Sequence, residues 1–183
     1  RILDRFYHHL DEPTRFDCLL AICFCPELTP KLPFHFEQID DLAQTLTHLP
    51  SKLLDKSPHV SQNLLPEKRT SKWFLAAIKT ATVLMEHTDG EDVEQLAERF
   101  DCYTFDIAMI KRNCDWLFAT AMRIFTIRWR QQWHREHRDE TEDSECPQGF
   151  HEQRIQELIS MIKHGIPLEA CQLIQVNGIG PKR

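Results

Sequence analysis

The chain has 183 residues, 42% hydrophobic and 27% charged, with a formal net charge of −6. That length supports one sizeable domain or two small ones around a self-sustaining core. The acidic balance excludes a protein that coats nucleic acid through bulk charge, and no apolar run reaches the roughly 18 residues of a membrane span.

Apolar residues recur with helical spacing and there are only five glycines, which predicts an all-α fold. RILDRFYHHL (1–10) reads as a helix end, followed by DEP. TRFDCLLAICF (14–24) is a nearly all-apolar helix and is expected to be buried. CPELTPKLPF (25–34) carries three prolines and must be loop. FEQIDDLAQTL is amphipathic, and the stretch from 48 to 70 is mostly connection. Thr70 or Ser71 caps a helix through WFLAAIKTATVLMEH, which stops at Asp89-Gly90. EDVEQLAERF is a short helix with acidic residues in its first turn, where the macrodipole favours them. A long helix follows from about Thr104 to about His134, and DETEDSECPQG is an exposed loop. HEQRIQELISMIKHGI gives another helix ending near Gly165, and PLEACQLIQV leads into QVNGIGPKR, Gln175 to Arg183.

The long helix carries two faces. Ile107, Ile110, Cys114, Leu117, Phe118, Ala121, Ile124 and Phe125 form a core stripe. Met109, Arg112, Trp116, Thr120, Arg123 and Arg130 fall together on the other side. An indole bracketed by guanidinium groups suits single-stranded nucleic acid, with the ring stacking on a base and the arginines meeting phosphates. The same pattern also fits a tryptophan packed against a second helix of a bundle. In QVNGIGPKR, Gly178 and Gly180 fit a helix-hairpin-helix turn whose amides bind a backbone phosphate, with charge added by Lys182 and Arg183, and they also fit an ordinary glycine-rich turn between helices.

RIQELISMIKHGIPLEACQLIQVNGIGPKR (154–183) resembles the end of the helical domain in superfamily-two DNA helicases of the archaeal fork-repair type, relatives of the helicase half of DNA polymerase theta. Lys163, Gly165, Ile166 and Glu169 carry the first part of the likeness, and Val176, Gly178, Ile179, Gly180 and Arg183 the second. AERFDCYTFDIAMIKRNCDWLFATAMRI (97–124) is similar to the family's ratchet helix and the short helix before it, and DCLLAICFCPEL (17–28) to its apolar helix. The resemblance implies a ratchet-like multi-helix bundle over 1–150 with a long central helix. A helical extension over 151–183 would lead into an incomplete helix-hairpin-helix. It implies that Trp116 stacks on a base of the translocating strand. The family's ratchet arginine falls on Met109, so that contact is lost or moved, with Arg112 or Lys111 within a turn to replace it.

The chain starts without Met and breaks off inside a motif, so a fragment of a longer protein is expected. It contains no G-x-x-x-x-G-K-[ST] P-loop, and the resemblance therefore places the motor, with its ATP and Mg, before Arg1. The implied partners are single-stranded or forked DNA and the motor domains of the same polypeptide. Seven cysteines without a signal peptide point to reduced thiols in the cytoplasm (nucleoid-associated) or nucleus, not in a secreted protein. His134, His137, Cys146 and His151 match no common zinc spacing, and Cys18, Cys23 and Cys25 spread around a helix axis, so no metal and no catalytic group are expected. Two rival readings remain. One is a helix-turn-helix regulator built on residues 91–113, and the other a protein-interaction scaffold docking through Trp116 and its arginines.

Overall fold

A computed structural model describes residues 1–54, 72–137 and 146–174. Its described residues form eight α-helices and one 3-10 turn, with no strand, as the apolar spacing predicts.

The innermost helix is short. Helix α1 (Ile2–His9) lays Leu3, Phe6 and Tyr7 on the core. Helix α2 (Arg15–Cys23) is buried from Phe16 to Cys23. Its start is fixed by a capping box: Thr14 Oγ1 accepts from the Asp17 amide at 3.0 Å, and Asp17 Oδ2 accepts from the Thr14 amide at 2.9 Å. Asp17 is fully buried because it does more than cap. Its carboxylate also accepts from Ser51 Oγ (2.6 Å), Leu53 N (3.0 Å) and Lys52 N (3.2 Å). The segment after α3 (Ile39–Leu46) is thereby tied back to α2.

The three-proline loop is held in the same way. In α4 (Lys72–Thr88), Lys79 is 1% exposed, and its ammonium donates to Pro33 O at 2.6 Å and Gln38 Oε1 at 2.9 Å. Thr80 Oγ1 accepts from the Leu32 amide at 3.0 Å. A proline-rich loop can pair few of its own backbone groups, so α4 supplies a donor to the Pro33 carbonyl and an acceptor for the Leu32 amide. The caps expected for α4, Thr70 and Ser71, lie outside the described residues.

Asp92 caps α5 (Val93–Arg99), accepting from the amides of Glu94 and Gln95. The long helix α6 runs Thr104–Glu136 and α7 runs Phe150–His164. Ile155, Leu158 and Ile162 of α7 share one core with α1, α2, α4 and α6. Arg15 of α2 and Arg154 both reach Glu157 on α7, at 3.6 and 2.8 Å. Helix α7 stops at Gly165, whose left-handed backbone (φ 63°) caps it, with the Gly165 amide donating to Met161 O at 2.7 Å. Helix α8 spans Leu168–Ile174. No helix of the described residues is long and apolar enough to cross a membrane.

Candidate nucleic-acid interface

The candidate face is organised by α6, whose 33 residues reach about 50 Å at 1.5 Å per residue. Its inward stripe is Ile107, Ile110, Cys114, Leu117, Phe118, Ala121 and Phe125, all buried. Ile124, expected in that stripe, sits at its margin and is only partly buried. Past Phe125 the helix leaves the core, and polar contacts hold it. Arg128 Nε donates to Asp4 of α1 at 2.8 Å, Tyr7 donates to Gln132 at 3.2 Å, and Trp129 Nε1 donates to Pro147 O. A Cβ on Gly149 would come within 2.9 Å of Trp129, so the indole needs a residue without a side chain there.

The outward side carries Arg112, Trp116, Arg123 and Arg130, all exposed. Trp116 is 49% exposed, so it does not fill a helix–helix contact. Met109 and Thr120 lie at the edge of this face, half-buried. The Thr120 hydroxyl is spent on its own helix, donating to Trp116 O at 2.8 Å. The arginines of α6 differ in what they bind. Arg128 pairs with Asp4 and Arg135 donates to Gln131 O at 3.1 Å. Among the described residues, Arg112, Arg123 and Arg130 make neither a salt bridge nor a hydrogen bond.

Lys111 lies elsewhere. Its ammonium sits 2.6 Å from Nε2 of His87 at the end of α4. Burial lowers its pKa, and burial followed by the nearby ammonium lowers that of His87. Five residues separate Lys111 from Trp116, which at about 100° per residue turns them to different sides of the helix. Gly178, Gly180, Lys182 and Arg183 lie outside the described residues.

Sequence reasoning missed two exposed aromatics at the start of α6. Tyr103 is 79% exposed and Phe105 70%. Phe105 stands seven and eighteen residues before Arg112 and Arg123, spacings that return to one line along a helix. That signal was present in the sequence.

Residues 16–143 match the family model described as archaeal helicase, domain 4. The chain belongs to that family. No curated protein matches it. The archaeal helicase domain 4 match runs from α2 through all of α6, so the exposed Trp116–arginine face falls within it.

The metal candidates of this domain 4 chain are scattered by the fold. His134 is exposed, the His137 ring stacks on Trp133 at 3.5 Å, and His151 is buried against Phe6, Tyr7 and Phe125. Among the described residues no three His, Cys, Asp or Glu side chains converge. Burial pushes the Cys18 and Cys23 thiols well up, and those of Cys25 and Cys114 to about 12. These groups stay protonated at neutral pH, whereas nucleophilic attack needs the thiolate.

Proposed function

We propose that this helicase domain guides single-stranded DNA delivered by an ATP-dependent motor in the same polypeptide. Trp116 stacks on a base, while Arg112, Arg123 and Arg130 hold phosphates along the outward face of α6. A hairpin carrying Gly178, Gly180, Lys182 and Arg183 grips the strand farther along. ATP and Mg belong to the motor. Of the two replacements considered for the arginine missing at Met109, Arg112 is the better placed, because Lys111 is engaged by His87. The reading places the protein with DNA, in the cytoplasm or nucleus.

The observation that supports this most is the state of the arginines. An exposed guanidinium without a protein carboxylate keeps its donors for an external anion. Among the described residues three such groups flank a half-exposed indole on one helix face, and the ion pair that α6 makes there belongs to a different arginine, Arg128. A base stacked on the indole contributes about 1–3 kcal/mol, and the arginines add a salt-sensitive term.

The test is Trp116→Ala. Its affinity for an oligothymidylate, read by fluorescence anisotropy, should fall about 5- to 150-fold. In the helicase that carries the domain, unwinding should drop while basal ATPase is spared. Unchanged single-strand binding would sink the stacking role. A preference for one duplex sequence would favour a regulator, and the absence of any salt-dependent DNA affinity would favour a protein-docking scaffold.

A further inference from the structure

The outward face of α6 continues to the helix's first turn. Phe105 is the second most exposed large apolar side chain of the described residues, at 70%. An exposed phenyl ring on a polar helix surface gains nothing for the fold, since it leaves its apolar area in water. Its position is not random. Phe105, Arg112, Trp116 and Arg123 are spaced by seven, four and seven residues, so at 3.6 residues per turn they lie within about 40° of one line. Arg130, seven residues on, continues the same line.

The charges along this line fit an anionic partner. Its ionisable residues are arginines as far as Arg130, with His134 one turn beyond. The nearest acidic residues are Asp106 and Asp115; each is turned about 100° from its neighbouring aromatic, and Asp115, three residues beyond Arg112, makes no salt bridge with it among the described residues. The Asp106 carboxylate is further occupied in accepting from the Tyr103 amide at 3.3 Å. Two exposed rings with cations between and beyond them form a stacking platform, sequence-tolerant because every base has a π-face.

We propose that Phe105 is a second base-stacking residue for the same single strand, so that α6 holds the strand at two rings. This rests on the single-strand reading of Trp116 and extends it to a measurable length of strand. Phe105 and Trp116 are eleven residues apart, about 16 Å along the axis at 1.5 Å per residue. At about 3.4 Å per stacked nucleotide this spans about five nucleotides, with Arg112 between the rings to meet the intervening phosphates.

The full chain is titrated with oligothymidylates of about four and about twelve nucleotides, the shorter unable to reach both rings and the longer able to. Phe105→Ala, Phe105→Leu and Phe105→Trp are compared with Trp116→Ala and the parent chain. Thermal unfolding serves as the folding control, which an exposed position should pass. With the long oligomer, Phe105→Ala and Phe105→Leu should both bind about 5- to 150-fold more weakly, while Phe105→Trp retains the affinity. With the short oligomer the Phe105 variants should differ little from the parent. If Phe105→Leu binds the long oligomer as well as the parent chain, an apolar surface suffices and ring stacking is overturned. If Trp116→Ala weakens binding but Phe105→Ala does not, the two-ring platform fails and the Trp116 reading stands. If the parent chain binds neither oligomer, both fail together.

Discussion

Lys111 Nζ lies 2.6 Å from His87 Nε2, joining the first quarter of α6 to the end of α4. An ammonium can only donate, so His87 accepts at Nε2 and carries its proton on Nδ1. Among the described residues that nitrogen is buried without a full hydrogen bond, and the Glu91 backbone compensates only in part, raising the His87 pKa against two larger effects. Lys111 lowers the His87 pKa, after the larger effect of burial. In Lys111→Met the His87 ring titration, followed by NMR, should therefore move upward. Single-strand affinity should stay within about twofold, because a cation engaged by His87 offers little to a phosphate. Arg112→Ala, by contrast, should weaken binding about tenfold, the usual scale of a charge-assisted hydrogen bond.

The face as a whole should show itself through salt. Each phosphate neutralised on a single strand contributes about 0.7 to the slope of log affinity against log salt. Replacing Arg112, Arg123 and Arg130 together with alanine should flatten that slope by about 2. Replacing Arg128, which is paired with Asp4, should lower stability and change the slope less.

Gly165 has two independent reasons to be glycine. Its φ is 63°, and a Cβ there would lie 2.7 Å from Cε1 and 2.9 Å from Nε2 of His87. Gly165→Ala should cost about 2 kcal/mol or more, measured by urea unfolding. A double variant with His87→Ala removes the steric conflict but not the backbone strain. It should give back only part of what Gly165→Ala adds.

Asp17 takes hydrogen bonds from Ser51, Lys52, Leu53 and Thr14. Asp17→Ala strands several of these donors in the interior and should destabilise by about 3–5 kcal/mol in chemical denaturation. Asp17→Asn keeps the shape and one acceptor oxygen, so a smaller loss is expected.

Acid should weaken the fold through His151. Burial among aromatic rings drops its pKa from 6.5 to about 4, with a backbone hydrogen bond at Leu10 opposing the drop. The unfolded chain binds this proton first as pH falls, so the neutral buried ring contributes fully above pH 6.5. That contribution is lost as pH drops towards 4 and amounts to about 3 kcal/mol. Thermal midpoints between pH 7 and 4 should fall more steeply for the parent chain than for His151→Phe.

The helices and the core stripe of α6 were legible because apolar residues at helical spacing dictate both. The buried acid was not. Asp17 reads as one polar blemish on an apolar helix, and only the folded segment at 51–53 reveals the donors that need it. Lys111 and Arg112 are interchangeable by neighbourhood in sequence. The contact with α4 separates them, and that contact joins residues 24 positions apart. The solvation of Trp116 likewise depended on whether another helix covers it. Phe105 could have been found by extending the arginine–tryptophan line one more step towards the amino end.

The core grips α6 only as far as Phe125, and the remaining turns run on beside α1 as part of the same rod. That rod is anchored in two ways, by apolar packing up to Phe125 and beyond it by the polar contacts of Arg128, Trp129 and Gln132. A change of charge or salt therefore bears on its far end and leaves the apolar anchorage intact.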